Sequence, residues 1–444
     1  MLIVFGLGVL ATLIGFAAAS DWKSVLGVSL AGFWAFVAGL VLYRREKQQV
    51  DGRWWSRMLV AGLAVRLLAA FLHLAIGLWF YRGEADFLSY HRSGTNVAER
   101  ILQGELIVFH TSRSYDKLEF RLIEYLVGLS YLLVGPGLVG MVLLFAVVGF
   151  IGIYLFLRAF RLEFPYGKDT RLLALGLLFL PSLAFWGSYP GKDSWMLLFL
   201  GWLTYSFTRL LHKFHSGSLV GVVVSLVGLA LLRWPVAGMA ALAMGAVWLL
   251  RPWKSPAAIL RPIELAAYPL VVVAVLAYMG SFFLPRPMGL MIDPLSYVEA
   301  ATERSVLFHE GYAGGGSARR VEIVDKSVGG ILRYLPKGAF AFLFRPMVFE
   351  AHHGLALAAA LEAAFFLALI IWRWRSLVAA IRMGFSTPFI GFCAVIFIAL
   401  TAMLALEINF GIIVRHRAMV LPFLLILMAV PSRRKARQDN LTAP

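Results

Sequence analysis

Hydrophobic residues in this chain are gathered into long runs that short polar connectors separate. Twelve of the runs reach or approach the roughly 20 residues with which an α-helix crosses the hydrocarbon core of a bilayer. They cover residues 2–19, 25–43, 58–80, 138–157, 172–188, 195–211, 218–232, 236–250, 263–284, 353–372, 386–406 and 417–430. The pattern predicts an all-α polytopic integral membrane protein with about 12 transmembrane helices.

Two parts of this pattern allow more than one interpretation. Residues 218–232 and 236–250 are short and close together, so they predict either a tight hairpin or re-entrant segments. Residues 121–134 are also apolar, but a crossing there would place the cations between Arg158 and Arg171 on the wrong side of the membrane. We therefore expect an interfacial or re-entrant helix that ends at Gly135.

Lysine and arginine are concentrated in alternate connectors, and with twelve spans all of these connectors lie on one side of the membrane. The positive-inside rule assigns that side to the cytoplasm. The connectors contain Arg44, Arg45, Lys47, Arg53, Arg57, Arg158, Arg161, Lys168, Arg171, Arg209, Lys213, Arg251, Lys254, Arg261, Arg373, Arg375, Arg382, Arg433, Arg434, Lys435 and Arg437. We therefore expect a multi-pass protein of the inner (cytoplasmic) membrane with both termini cytoplasmic.

This topology predicts one transmembrane domain, residues 1–430, followed by a basic cytoplasmic tail, residues 431–444. Two large outer loops, residues 81–137 and 285–352, are expected to carry interfacial helices. The small residues Ala17–Ala19 resemble a signal-peptide cleavage site, but no basic segment precedes the first run. We expect that run to be an uncleaved span.

Composition supports the membrane assignment. Apolar residues make up 61% of the chain and charged residues 15%, whereas soluble proteins contain roughly 45–50% and about 25%. The formal net charge of +17 would favour nucleic acid as the partner of a soluble protein, but here the cations follow the membrane topology. Membrane lipids are therefore the expected surroundings, with no nucleic acid. Cys393 is the only cysteine, which excludes disulfides and cysteine metal sites.

The first outer loop contains the best candidate for a general base. Asp86 follows the third span directly, where partial dehydration would raise its pKa toward neutrality. Tyr90 lies four residues later and would share a helical face with Asp86, and His91 and Arg92 come next. The alternative is that these residues only cap and solvate an interfacial helix.

Cations at the predicted outer face are the candidate phosphate ligands. Arginine binds phosphate bidentately and lysine binds it as a point charge. The alternative for each is that it only extends to the lipid headgroups. The candidate substrate-binding residues, with neighbouring polar residues, are Tyr90, His91, Arg92, Lys192, Asp193, Arg233, Lys337, Arg345, Glu350, Arg415 and Arg417.

The stretch GEADFLSYHRSGTNVAERILQGE resembles the first outer loop of GT-C fold glycosyltransferases. That resemblance implies transfer of a sugar from a polyprenyl-phosphate-linked donor to a lipid or glycan acceptor, with Asp86 as the base and Glu84 as its rival. The stretches FLPSLAFWGSYPGKDSW, LRWPV, YLPKGAFAFLFRPMVFE and NFGIIVRHRAMVLPF resemble membrane proteins of bacterial polysaccharide biosynthesis.

The chain departs from the GT-C pattern in two ways. Two spans precede the one that leads into the acidic loop, where the usual arrangement has one, and the acid is single where many members carry a pair. The runner-up is therefore an O-antigen or exopolysaccharide polymerase or ligase that uses a polyprenyl-diphosphate-linked glycan. Under that hypothesis the important residues are Arg233, Arg345, Arg415 and Arg417.

Two further function classes and the question of a metal stay open. A transporter or flippase would place polar residues near the midplane of two related halves, and here only Arg66 and Glu362 stand out, without repeated halves. A structural membrane subunit would tolerate substitutions at the candidate residues. A divalent cation could bind among Asp86, His91, His110 and Asp116, but the spacing is not diagnostic, so we assign no metal ligands and no cofactor.

Overall fold

A computed structural model describes residues 22–49, 51–80, 85–105, 118–165, 168–250, 328–351, 354–384, 386–407 and 409–431. All regular elements within these residues are helices, which confirms the all-α class for the described part of the chain. The helices are α1 Trp22–Lys47, α2 Gly52–Ala75 with a π-helical continuation Ile76–Phe80, α3 Asp86–Leu102, α4 Leu118–Val134, α5 Leu138–Glu163, α6 Lys168–Phe179, α7 Pro181–Trp186, α8 Lys192–His212, α9 Ser216–Leu250, α10 Val328–Phe344, a short 3-10 turn Val348–Glu350, α11 Gly354–Trp372, α12 Trp374–Gly384, α13 Pro388–Leu404 and α14 Phe410–Met428.

Six helices in the described residues are long and apolar enough to cross a membrane, so the chain is a multi-pass membrane protein. The six candidate spans are Val25–Lys47, Gly52–Trp79, Leu138–Glu163, Ser216–Trp248, Gly354–Trp372 and Phe410–Met428. A seventh is counted if α12 and α13, which meet at an angle of 111°, form one broken span. The predicted runs 2–19 and 263–284 lie outside the described residues, and a total of 12 spans stays a prediction.

The structure differs from the predicted runs in the middle of the chain. Residues 172–188 form α6 and the six-residue α7, which Pro181 separates, and residues 195–211 lie in α8. None of these three helices is among the six candidate spans. Runs 218–232 and 236–250 lie in α9, where two helical segments meet at a kink. Arg233 has non-helical backbone angles there, and Pro235 follows two residues later.

The described residues belong to two compact units. Unit 1 draws on Met1–Leu162, Arg171–Leu210 and His215–Trp234, and unit 2 on Glu163–Thr170, Leu211–Phe214 and Pro235–Pro444. Unit 1 therefore contains α1 to α5, nearly all of α6 (from Arg171), α7, α8 and the first half of α9. Unit 2 contains the second half of α9 and α10 to α14.

Small residues allow the helices of unit 1 to approach closely. A β-carbon on Gly152 of α5 would lie 2.3 Å from the Leu197 carbonyl oxygen of α8, and one on Gly201 would lie 2.1 Å from the Gly152 carbonyl oxygen. Gly27 of α1 and Gly140 of α5 meet in the same way. Such contacts are typical of membrane helices, whose association depends on close packing rather than on exclusion of water.

Helix α3 is amphipathic and packs on α4. Its buried residues are Phe87, Tyr90, Gly94, Val97 and Ala98, which recur at the spacing of one helical face. Gly94 and Gly128 mark the crossing, since a β-carbon on either would collide with a valine of the opposite helix. Helix α4 ends at Val134, and Gly135 follows with a φ of +74°, as the predicted stop requires.

Unit 2 is built around α10, α13 and α14. Phe342 of α10, Phe392 of α13 and Phe423 of α14 are fully buried, and the rings of Phe392 and Phe423 pack edge to face at 6.2 Å. Helix α14 begins at an Asn409 cap, whose side chain accepts hydrogen bonds from Gly411 N and Ile412 N. The cap fixes the start of the helix that carries Arg415 and Arg417.

Candidate functional site

The turn between α7 and α8, residues 187–191, is buried rather than exposed. Ser194 Oγ lies within hydrogen-bonding distance of the carbonyl oxygens of both Gly187, at 3.2 Å, and Tyr189, at 2.6 Å. Ser188 Oγ donates to the Ala184 carbonyl at 2.7 Å. These bonds satisfy backbone groups that the break between two helices leaves without helical partners, so the turn is a defined structure.

This turn lies level with the middle of two candidate spans. A β-carbon on Gly187 would lie 2.3 Å from Arg66 Nη1, so the turn contacts α2 at Arg66. Arg66 lies midway along the candidate span Gly52–Trp79, fourteen residues after its first residue and thirteen before its last. A β-carbon on Gly149 would lie 1.8 Å from the Gly187 oxygen, and Gly149 is eleven residues after Leu138. At 1.5 Å per residue, Arg66 is about 20 Å from either end of its helix. The sequence predicted a short outer turn here.

Aromatic rings surround the end of α7. His73 of α2 stacks on Phe185 with ring centroids 3.5 Å apart, and its Nε2 is hydrogen-bonded to the Phe185 carbonyl at 2.8 Å. Trp186 and Tyr189 lie 5.3 and 5.1 Å from the His73 ring. His73 is 4% exposed. It therefore positions the turn from α2, and sequence analysis missed it because a lone histidine in an apolar run has no signal.

Helix α3 lies against this turn. The Phe87 and Tyr189 rings are 6.3 Å apart in an edge-to-face arrangement. A β-carbon on Gly191 would be 3.5 Å from Tyr90 Cε2. Asp86, the first residue of α3, is exposed while Tyr90 is buried, so the two predicted partners do not share an environment. The structure nevertheless brings the acidic start of α3 and the predicted cationic turn onto the same part of unit 1.

The start of α8 carries three buried polar residues. Lys192, Asp193 and Ser194 are 6%, 1% and 0% exposed. Asp193 Oδ1 lies 3.6 Å from Arg233 Nη2, so these two predicted residues form an ion pair. Arg233 lies at the kink of α9, with φ −154° and ψ 83°, and not on the outer turn that the sequence predicted. The kink lets its side chain meet the first turn of α8.

His91 contacts α4 rather than the 187–191 turn in the bonds that the structure shows. His91 Nδ1 is hydrogen-bonded to the Tyr131 hydroxyl of α4. Burial, with a smaller contribution from the charge of Arg92, lowers the pKa of His91 below its usual value. Arg92 itself is exposed. The contacts of His91 join α3 to α4, which is a structural role.

The remaining candidates belong to unit 2, where most have partners within the protein. Arg345 makes a bidentate ion pair with Glu350, with Nε 3.0 Å from Oε2, and its guanidinium lies 5.0 Å from the centre of the Phe410 ring. Arg417 is 3% exposed and donates Nε to the Phe342 carbonyl at 2.6 Å. Lys337 is exposed and Arg415 is half-buried. The two units thus divide the predicted substrate-binding residues.

Glu84, His110 and Asp116 lie outside the described residues. Within the described part of the chain, no three side chains of histidine, cysteine, aspartate or glutamate converge as metal ligands would. Comparisons with protein-family models, with curated proteins and with solved structures found no match for the chain. The functional argument therefore depends on the residues themselves.

Proposed function

We propose that the chain is a multi-pass glycosyltransferase of the cytoplasmic membrane, with both termini in the cytoplasm. It transfers a sugar from a polyprenyl-phosphate-linked donor to a lipid or glycan acceptor at the outer face. One observation carries the proposal: α3, which begins with Asp86, packs through Phe87 and Tyr90 on the turn that leads into Lys192.

In this proposal Asp86 is the general base. Its exposed carboxylate is accessible to an acceptor hydroxyl and takes the hydroxyl proton as the oxygen attacks the sugar. The bond between the sugar and the donor phosphate breaks, and the phosphate leaves with an additional negative charge. Lys192 and the amino-terminal end of α8 offset that charge. Glu84, two residues before Asp86, is the rival base.

The ion pairs of two arginines give less support to the polymerase or ligase hypothesis. That function would depend on Arg233, Arg345, Arg415 and Arg417 as diphosphate ligands. Arg345 is held by Glu350 and Arg233 by Asp193, so a diphosphate would have to displace a carboxylate at both positions. Displacement of a protein carboxylate reduces the net gain from binding a phosphate.

Transport is the second candidate, and a specific observation favours it. Arg66, Lys192 and Asp193 are buried beside a helix break that is level with the middle of α2. Secondary transporters bind their substrates at such breaks near the midplane. A transporter would need the buried residues, whereas the exposed Asp86 would be dispensable.

The test is sugar transfer by the purified full-length protein and by cells that carry Asp86→Asn, Glu84→Gln or the control Glu99→Gln. Glu99 is an exposed carboxylate on the same helix as Asp86. Loss of a general base lowers turnover by roughly 10²- to 10⁴-fold. We expect that loss in Asp86→Asn at normal membrane expression, with the Glu99→Gln protein unchanged.

Other outcomes redirect the proposal. If Glu84→Gln is inactive and Asp86→Asn is active, the base is Glu84. If both variants are active while Arg345→Ala and Arg415→Ala cells accumulate unpolymerised repeat units, the polymerase hypothesis replaces ours. Normal glycans in all of these variants would reject glycosyl transfer and leave transport as the candidate.

A further inference from the structure

Arg66 is a buried cation whose surroundings are unusual. It lies on α2 and is fully buried, and none of its three guanidinium nitrogens has a hydrogen-bond partner among the described residues. Its Nη1 lies against the Cα of Gly187, where Leu197 of the second turn of α8 also packs. The guanidinium thus points at the junction of the 187–191 turn and α8.

This arrangement is costly for the protein. An isolated charge in a low-dielectric interior loses its hydration, and buried guanidinium groups are normally paired with a carboxylate or with carbonyl oxygens. Replacement of a buried charge by an apolar side chain of similar volume often leaves stability unchanged or raises it. A folding role alone therefore gives no account of an arginine at this position.

The turn that contacts Arg66 leads directly into the start of α8. That helix end carries the positive end of the helix dipole, and Lys192 is buried in its first turn. The next residue, Asp193, is paired with Arg233. The Arg66 guanidinium, which has no hydrogen-bond partner among the described residues, and the backbone N–H groups at the start of α8 together suit a bound anion.

We propose that Arg66 and the start of α8 form a buried binding site for a phosphate or diphosphate group. Arg66 would bind the anion bidentately and Lys192 would neutralise a second oxygen. The assignment of this phosphate to a lipid-linked donor rests on the proposed function, whereas the anion site itself does not. The site lies about 20 Å inside α2, so the phosphate reaches deeper than the outer face where Asp86 starts α3.

The experiment measures binding of inorganic pyrophosphate to the purified full-length protein in detergent, by calorimetry and by the shift in melting temperature. The variants are Arg66→Met, which keeps a similar volume without the charge, and Arg66→Lys, which keeps the charge but cannot donate two parallel hydrogen bonds to one phosphate. Arg57→Gln is the matched control, because Arg57 is exposed on the same helix and its loss changes the net charge equally.

We expect Arg66→Met to bind pyrophosphate about ten- to a hundredfold more weakly than the wild type, as loss of a charged hydrogen-bonding partner predicts. Arg66→Lys should be intermediate and Arg57→Gln unchanged. Without ligand, Arg66→Met should melt at or above the wild-type temperature. The proposal is overturned if Arg66→Met binds normally. It is equally overturned if this variant melts well below Arg57→Gln or cannot be purified folded, since Arg66 would then stabilise the protein itself.

Two further ligands identify the source of the phosphate. Polyprenyl phosphate and phosphatidylglycerol, each added in detergent, carry the same anionic chemistry on different lipids. An Arg66-dependent shift with polyprenyl phosphate alone supports a lipid-linked donor, and an equal shift with both assigns the site to membrane phospholipid and overturns the donor assignment. Sugar transfer is not measured here, so failure of the Asp86 test and failure of the anion site are separate results.

Discussion

Glu46 and Arg66 of unit 1 are both fully buried, but their surroundings are opposite. Both are 0% exposed. Glu46, near the end of α1, accepts a hydrogen bond from the Tyr154 hydroxyl at 2.8 Å and pairs with Arg158 at 3.3 Å and with Arg161. Arg66 has no hydrogen-bond partner among the described residues. The same group of helices therefore satisfies one buried charge completely and leaves the other without hydrogen bonds.

The difference teaches where to look for function. The Glu46 cluster joins α1 to α5. Arg161 of this cluster also lies 4.5 Å from the centre of the Trp55 ring of α2, so the cluster contacts three helices. Charge that is matched in this way serves the fold. A buried charge without hydrogen-bond partners among the described residues is one that a ligand can complete. Arg66 differs in this from Arg345 and Arg417 of unit 2, which donate hydrogen bonds to Glu350 and to the Phe342 carbonyl.

The largest effect on stability is expected from substitution of Glu46, the buried charge that has its partners within the protein. Glu46→Ala should destabilise the protein by about 3–5 kcal/mol, because Arg158 and Arg161 keep their charges in a largely buried place without the carboxylate. Unfolding of the detergent-solubilised protein by heat or by denaturant measures this change.

The control for Glu46 is Asp51→Asn. Asp51 and Arg171 form an ion pair at 2.7 Å, but both side chains are about half exposed, at 52% and 46%. Exposed pairs contribute about 0–1 kcal/mol. If both substitutions lower the free energy of unfolding equally, the buried Glu46 cluster stabilises the protein no more than an exposed ion pair does.

The next effect concerns the packing that covers Arg66. Gly149→Ala places a β-carbon 1.8 Å from the Gly187 carbonyl oxygen, so α5 or the 187–191 turn must move. Overpacking of this kind typically costs about 1–3 kcal/mol. Gly245→Ala is the control, because a β-carbon on Gly245 meets nothing within 4 Å. An unchanged melting temperature in Gly149→Ala would mean that the turn is not held against α5.

Hydrophobic runs predicted the all-α class and several of the candidate spans, because period and length are local properties of a sequence. Residues 25–43, 58–80, 138–157 and 353–372 coincide with candidate spans. The kink at Arg233 was missed, since a proline between two apolar runs fits a turn and a bent helix equally well. The choice depends on packing against α8, which the sequence does not express.

The site was predictable only in part for the same reason. The sequence selected Asp86, Lys192 and Asp193 as polar residues between apolar runs, and the structure places the helix of Asp86 on the turn before the other two. It did not select His73, and it noted Arg66 only as a midplane charge. Burial and missing hydrogen bonds are properties of three-dimensional contacts, and no residue pattern encodes them.

The smallest effect is expected from His91. Its ring has a hydrogen-bond partner, as Glu46 has, but no opposite charge beside it in the contacts shown, as Arg66 has none. It is partly buried and hydrogen-bonded to the Tyr131 hydroxyl, but the nearby charge of Arg92 has the same sign as the protonated ring. Because folding lowers the pKa of His91 below the value of 6.5 in an unfolded chain, the unfolded state binds the proton more readily.

Stability should therefore be complete above pH 6.5 and fall as the pH drops below it. We expect His91→Gln, which keeps a hydrogen-bonding side chain and cannot titrate, to flatten the dependence of melting temperature on pH between about 7 and 5. His215→Gln, at an exposed position before α9, is the matched histidine substitution and should keep the wild-type slope. A slope that is unchanged in His91→Gln would show that the α3–α4 contact does not disfavour the charged ring. Burying a positive charge without a carboxylate beside it would then not destabilise this part of unit 1. The same reasoning, by which burial of the Arg66 charge destabilises the protein, would lose its support from a neighbouring helix.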